Sequence, residues 1–165
     1  MSGEGEAAIL TLRDILELRL AESTNGGIRL AILSACETGL PGAKIIDEVI
    51  SLPTGLLQAG VAGVAASLWS VAELSTMMLL TRFYDYWRND HLEPAIALRQ
   101  AQQWLRDTTN AEKVAYFRDF LPEPSALKMP IATADYLYKA LILENSGDRT
   151  FAHPFHWAAF SYVGV

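Results

Sequence analysis

A nearly continuous apolar run, IRLAILS at residues 28–34, decides the fold of this sequence. It is short and follows two glycines, and such a run is typical of a strand buried on both faces of a parallel sheet. Residues 61–68 form a second run of small and apolar residues, and residues 45–58 between the two have a helical pattern. Pro53 either kinks this helix or starts a second short one, and Gly60 is placed to end it. A strand, a helix and a strand in this order form a βαβ unit, which predicts an α/β fold with parallel strands.

Helices dominate the rest of the predicted fold. Ser70-Val71-Ala72-Glu73 matches a capping box, in which Glu73 would bond to the backbone N–H of Ser70. Further along the chain, the pattern predicts helices that begin at Glu93-Pro94, near Asn110 and at residue 133, and a final strand over residues 157–163. No linker requires a second domain, so we expect a disordered start at residues 1–8 and one folded unit over residues 9–165.

Composition excludes several classes of protein. Hydrophobic residues make up 51% of the 165 residues and charged residues 19%, as in a globular protein. The net charge of −6 argues against a nucleic acid as partner, because phosphates need a basic surface.

The acidic start does not resemble a secretory signal, and charged residues keep the apolar regions shorter than a membrane span. A single cysteine fits a reducing cytoplasm. The sequence has no ligand cluster typical of zinc and no nucleotide-binding glycine fingerprint, so we expect no cofactor. Because no apolar stretch reaches the length of a membrane span, we also expect no membrane partner.

Cys36 follows the first predicted strand by two residues. Reactive groups collect at the carboxyl ends of strands in open α/β sheets, and Gly39 leaves the backbone free to approach a substrate. Backbone N–H groups of the same loop would be available to stabilise an oxyanion. A lone cysteine near a strand end is more often a small core residue, so position alone favours the structural interpretation.

A series of motifs, in order along the chain, changes this balance. They are LSACETG at 33–39, LLQAG at 56–60, AASLW at 65–69, RFY at 82–84, ALRQAQ at 97–102 and HPFHWAAF at 153–160. Together they resemble the CHAT family of caspase-like domains, which are often attached to TPR repeats. The resemblance implies a caspase-hemoglobinase fold, a mostly parallel sheet flanked by helices that is distantly shared with separase, caspases and gingipains. It also implies that Cys36 is a catalytic nucleophile.

The same resemblance implies that part of the catalytic apparatus is missing. Peptidases of this family use a Cys-His dyad, with the histidine in a His-Gly motif before the cysteine strand. None of the three histidines, His91, His153 and His156, precedes the cysteine or is followed by glycine. His91 lies in a polar turn, while His153 and His156 belong to the closing motif, where packing of His156 beside Trp157 is favoured. Residues 10–15 resemble the segment after the His-Gly loop, so we expect a truncated domain, either an expressed fragment or a gene without its front half.

Three further residues are candidates for the substrate pocket. Relatives in this clan often cleave after basic residues and hold that side chain with an acidic group, and Glu73 falls where CHAT proteins and separases commonly carry Asp. The capping box gives Glu73 a competing structural role. Asp47, like Glu48, lies near an acidic position of the family pattern, or is a solvated carboxylate at a helix start. Trp69 either walls the cleft or packs under the sheet, and packing is favoured.

The sequence therefore predicts a cysteine endopeptidase domain of CHAT type, incomplete in this chain and inactive alone. Its expected partners are a protein or peptide substrate with a basic residue at the cleaved position and a TPR or sensor module of the parent chain. The alternative is a non-catalytic CHAT-like module for protein interaction or regulation. A nucleotide-binding regulator has only the βαβ pattern in its favour. Loss of the first strands would expose an apolar sheet edge beside residues 28–33, which predicts self-association.

Overall fold

The computed structural model describes residues 14, 17, 27–34, 45–119 and 130–165, with the backbone alone for residues 45–51. They form a mixed α/β structure in which helices flank a three-stranded sheet. The strands are β1 (Ala31–Leu33), β2 (Gly63–Ser67) and β3 (Phe160–Gly164). The helices are α1 (Ile45–Gln58), α2 (Glu73–Tyr84), α3 (Pro94–Asp107), α4 (Asn110–Arg118), α5 (Ile131–Leu141) and the short α6 (Pro154–Trp157). A π-helical turn, Asp85–Asn89, continues α2.

The strand order in the sheet is β1-β2-β3. β1 and β2 are parallel, and their Cα partners are Ala31–Val64, Ile32–Ala65 and Leu33–Ala66. This pairing confirms the βαβ unit. Two backbone hydrogen bonds flank the pair β2–β3: Val165 N donates to Ala62 O at 3.1 Å, and Leu68 N donates to Ala159 O at 2.7 Å. The residue before β2 thus pairs with the residue after β3, and the residue after β2 pairs with the residue before β3. β3 is therefore antiparallel to β2, and the described sheet has one parallel and one antiparallel pair.

The two predicted strands of the βαβ unit differ in how deeply they are buried. Every residue of β2 is buried, as a middle strand requires. The expectation of a strand over residues 28–34 buried on both faces is wrong, because β1 has three residues and all are half-buried. Ile28, ahead of the strand, is 41% exposed. β1 has one strand neighbour in the described part of the sheet, which leaves its other edge less covered.

Helix α1 runs without interruption through Pro53, so the proline starts no second helix. Its end has the geometry of a Schellman cap. Gly60 N donates to Leu57 O at 3.0 Å, Val61 N donates to Leu56 O at 3.0 Å, and Gly60 has a φ of 97°. Glycine alone adopts this left-handed conformation without a steric cost, which confirms the role predicted for Gly60.

The described residues divide into two compact units. The first contains β1, α1 and most of β2, and its core is formed by Val61, Val64 and Ala66, against which Leu33 and Leu56 pack. The second contains α2 to α6, where α2 packs on α3, α4 packs on α5, and α6 contacts both α2 and α3. Its core is made of fully buried apolar side chains, including Met78, Leu79, Phe83, Leu105, Phe117 and Leu137.

Several predicted helix details change in the second unit. Pro94 is the first residue of α3 as expected, and the buried residues of this helix are Ala97, Leu98, Ala101 and Leu105. A capping box that the sequence analysis overlooked, Thr109 with Glu112, begins α4. The final strand begins at Phe160, three residues later than predicted, because the preceding residues form α6.

His91 is exposed, as predicted, and has a φ of 57°. A residue with a Cβ atom loses roughly 1–2 kcal/mol in this conformation, and glycine does not, although glycine loses more chain entropy on folding. We expect His91→Gly to raise the free energy of unfolding by about 0.5–1 kcal/mol, measured by urea denaturation. His91→Ala keeps the Cβ atom and is the control. Equal stability of the two variants would contradict this account of the turn.

Candidate functional site

The parallel pair β1–β2 fixes where the candidate site lies. The carboxyl ends of two parallel strands meet at the same edge of a sheet, and Leu33 is the register partner of Ala66. The chain leaves β1 at Ser34, which is exposed, and leaves β2 through the segment that leads to α2. Cys36 and Gly39 lie outside the described residues. Asp47 is the third residue of α1, as expected for a helix-start carboxylate, and its side chain also lies outside them.

Trp69 ties the segment between β2 and α2 to the closing motif of the chain. Its ring is half-buried, and its Nε1–H donates to the backbone oxygen of Phe155 at 3.2 Å. One residue earlier, Leu68 N donates to Ala159 O at 2.7 Å. The choice between a ring packed under the sheet and a ring that walls the cleft stays a prediction, and the structure adds that the polar edge of Trp69 makes a long-range hydrogen bond.

Glu73 is the first residue of α2 and is exposed. The predicted capping box is wrong, because Ala72 is the N-cap residue and no side chain caps the helix. A capping box needs its glutamate at the third helical position, whereas Glu73 is at the first. Within the described part of the chain, the Glu73 carboxylate has no hydrogen-bond or ion-pair partner. The position at a helix N-terminus favours its negative charge, and the carboxylate remains available to a ligand.

The first turn of α2 is held by hydroxyl groups instead of a cap. Ser75 Oγ donates to Ala72 O at 3.1 Å, and Thr76 Oγ1 donates to the same oxygen at 2.9 Å. Short hydroxyl side chains commonly bond to a carbonyl three or four residues earlier. Met78, in the following turn, is buried, whereas Met77 is half-buried.

His156 lies beside this first turn. Its Nδ1 is 3.4 Å from Ser75 Oγ, and its ring meets the rings of Phe151 and Phe155 edge-on, each with a centroid distance of 5.4 Å. Burial, with a smaller contribution from the charge of His153, lowers the pKa of His156. The predicted structural role is supported, although the aromatic partners are the two phenylalanines.

His153 caps the short helix α6. Its Nδ1 accepts a hydrogen bond from Phe155 N at 3.2 Å. Two of the three histidines of the chain are thus occupied within the second unit, and His91 stands in an exposed turn.

Other classes of site are not seen in the described part of the molecule. None of its helices combines the length and apolar character needed to cross a membrane. Across the same residues, no group of three or more histidine, cysteine, aspartate or glutamate side chains is arranged to hold a metal ion.

The profile of the CHAT domain family matches residues 1–165, the whole chain. The chain belongs to the CHAT domain family. CHAT domains are a caspase-like, peptidase-related family, which establishes the general kind of protein. Searches of curated proteins and of solved structures found no significant match.

The structure adds residues to this CHAT domain's candidate site that sequence reasoning missed. Ser75 contacts His156, and the backbone oxygen of Phe155 accepts from Trp69. Each pair joins residues more than 80 positions apart, so no local pattern could indicate the contact. The sequence feature that could have indicated these contacts is that Trp69 and HPFHW at residues 153–157 both belong to the motifs that mark the family.

Proposed function

We propose that this CHAT domain is the cysteine-bearing part of a cysteine endopeptidase with a caspase-hemoglobinase type of fold, and that Cys36 is its nucleophile. The observation that carries the proposal is the parallel pair β1–β2, with the cysteine just beyond the end of β1. Consecutive Cα atoms are about 3.8 Å apart, so two peptide units keep Cys36 within about 7.6 Å of Ser34. A thiol at this edge of a sheet is suited to attack a substrate lying across the strand ends.

The proposed chemistry is acyl transfer. The Cys36 thiolate attacks a peptide carbonyl, the amine departs with a proton, and water releases the acyl group to restore the thiol. Backbone N–H groups in the loop that contains Gly39 would stabilise the negative oxygen of the tetrahedral intermediate. The proton acceptor is proposed to be a histidine outside these 165 residues, since His153 and His156 already have structural contacts. On this account the chain alone is inactive.

Glu73 is proposed to bind a basic side chain at the cleaved position. Its carboxylate is exposed, has no partner within the described part of the chain, and begins the helix that follows β2. A charge-assisted hydrogen bond contributes about 1.5–3 kcal/mol, enough for a tenfold or greater preference for arginine over an uncharged side chain. Trp69 is proposed to border this pocket, and Asp47 is proposed as a further substrate-binding carboxylate.

The biological partners are proposed from the family. They are a cytoplasmic protein substrate and a TPR or sensor module that controls cleavage, with self-association through the sheet edge near residues 28–33. The competing proposal is a non-catalytic interaction or regulatory module. Its support is that no His-Gly motif occurs in this sequence.

Alkylation of Cys36 distinguishes the two proposals. In the full-length protein that carries this domain, we expect iodoacetamide at pH 6–7 to label Cys36 at least about tenfold faster than a free thiol, because a paired thiolate has a lowered pKa. Cys36→Ser identifies the labelled site. Labelling at the rate of a free thiol would overturn the peptidase proposal and favour the interaction module.

A further inference from the structure

The closing segment of the chain, residues 153–159, is bonded to the chain on both sides of Glu73. Leu68 N donates to Ala159 O at 2.7 Å, and Trp69 Nε1–H donates to Phe155 O at 3.2 Å. On the far side of Glu73, Ser75 Oγ lies 3.4 Å from His156 Nδ1. The chain therefore has fixed points before and after Glu73, and all of these residues belong to the second compact unit.

The closing segment is itself well braced. The His153 imidazole accepts from Phe155 N at 3.2 Å, and Trp157 Nε1–H donates to Ala152 O at 3.0 Å. Beyond the segment, Gln102 Nε2 donates to Phe160 O at 2.8 Å, which fixes the start of β3 to α3. A braced segment of this kind holds whatever is bonded to it, because its own movement would break several hydrogen bonds at once.

The Ser75–His156 contact has a defined polarity. The Ser75 hydroxyl hydrogen is directed to Ala72 O at 3.1 Å, which leaves a lone pair on Ser75 Oγ facing the imidazole. His156 Nδ1 is then the donor. Ser75 is 1% exposed, so water does not compete for this contact.

We propose that the closing segment positions Glu73, with Trp69 and His156 as positioning residues that set the carboxylate for a basic substrate side chain. The inference rests on the proposed role of Glu73. Neither residue contacts the charged end of the substrate side chain in this proposal. Each acts by restricting the backbone from which Glu73 projects. Loss of either hydrogen bond should therefore weaken the preference for a basic side chain, although the Glu73 carboxylate keeps its charge.

The test compares two peptides bound by the full-length protein, one ending in arginine and one ending in norleucine. Glu73→Gln should abolish the preference for arginine. Trp69→Phe keeps the ring and removes the N–H, and we expect it to reduce that preference about threefold to tenfold. Tyr116→Phe is the matched control, because it also keeps an aromatic ring, removes a side-chain hydrogen bond to Asp85 outside the closing segment, and should leave the preference unchanged.

His156 provides a rescue experiment. His156→Leu removes the donor to Ser75 and should reduce the arginine preference, whereas His156→Asn retains an N–H donor on a shorter planar side chain and should restore at least half of it. If His156 only supported the fold, His156→Leu and His156→Asn would have the same preference for arginine.

Hydrogen exchange gives a readout that does not depend on substrate. In Trp69→Phe, the amides of Leu68 and Thr76 should exchange about threefold to tenfold faster, while those of α4 stay unchanged. If Glu73→Gln abolishes the preference but Trp69→Phe behaves like Tyr116→Phe in both measurements, the positioning role is overturned and the proposed function stands. If Glu73→Gln has no effect, the Glu73 pocket and the positioning role both fail.

Discussion

Replacement of Phe83 by alanine is expected to lower the free energy of unfolding by about 3–5 kcal/mol. The Phe83 side chain is fully buried near the end of α2, and its ring stacks on Trp87 at a centroid distance of 5.9 Å. Removal of a buried ring loses its transfer free energy and leaves a cavity that the surrounding helices fill only in part. Urea denaturation monitored by circular dichroism measures the change.

Tyr84 is the matched control for this prediction. It is the next residue of the same helix, is aromatic, and also contacts Trp87, at 5.8 Å, but is 45% exposed. Tyr84→Ala should therefore cost less than about 1 kcal/mol. Similar losses for the two variants would show that α2 is not packed as described. A folded domain has only about 5–15 kcal/mol in reserve, so Phe83→Ala should also reduce the yield of soluble protein.

The regular elements of the first unit could be predicted because their signals are local. The bounds of α1, Ile45–Gln58, agree with the sequence prediction, since the apolar pattern and the Gly60 stop lie within one stretch of chain. The buried run of β2 is also local. The extent of β1 was predicted too long because strand length depends on the register with β2, and register is a property of two distant segments.

The start of α2 shows why the candidate site was harder to predict. Ser70 and Glu73 have the spacing of a capping box, but the backbone begins the helix two residues later than that motif requires. The Leu68 bond to Ala159 and the Trp69 bond to Phe155 fix the residues that precede the helix. Tertiary contacts thus outweigh a local preference of about 1 kcal/mol, and the error in the sequence analysis concerned the residue proposed for substrate binding.

Lys113 could not have been predicted as a core residue, because lysine is almost never fully buried. In α4 its side chain is completely buried, and Nζ donates to Thr108 O at 2.6 Å and Thr108 Oγ1 at 2.8 Å. The ammonium also lies over the Trp104 ring, 5.5 Å from its centroid. These contacts satisfy the charged group without a carboxylate in direct contact, so the charge is retained at a cost in solvation.

Lys113 is expected to make the stability of the domain depend on alkaline pH. Burial, with a smaller effect of Arg149, lowers the pKa of Lys113 from 10.5 to about 8, while Glu112 and Asp107 oppose the shift. Below about pH 8 the lysine is protonated in both states, and the folded state bears the full cost of the buried charge. Between about pH 8 and 10.5 the unfolded state holds a proton that the folded state has lost, so the free energy of unfolding rises with pH. The two pKa values correspond to a gain of about 3 kcal/mol over this range.

Comparison with Lys113→Met isolates this contribution. Methionine fills a similar volume without a charge, so the difference in unfolding free energy between the native protein and the variant should increase by about 3 kcal/mol from pH 8 to 10.5 in favour of the native protein. Tyrosines titrate in both proteins and cancel in the difference. Lys139→Met is the control, because Lys139 is 70% exposed and pairs with Asp135 at the surface, and its pH profile should follow that of the native protein. Parallel pH profiles for the native protein and Lys113→Met would mean that the ammonium is solvated in the folded state. Lys113 would then not be buried between the rings of Trp104 and Phe151.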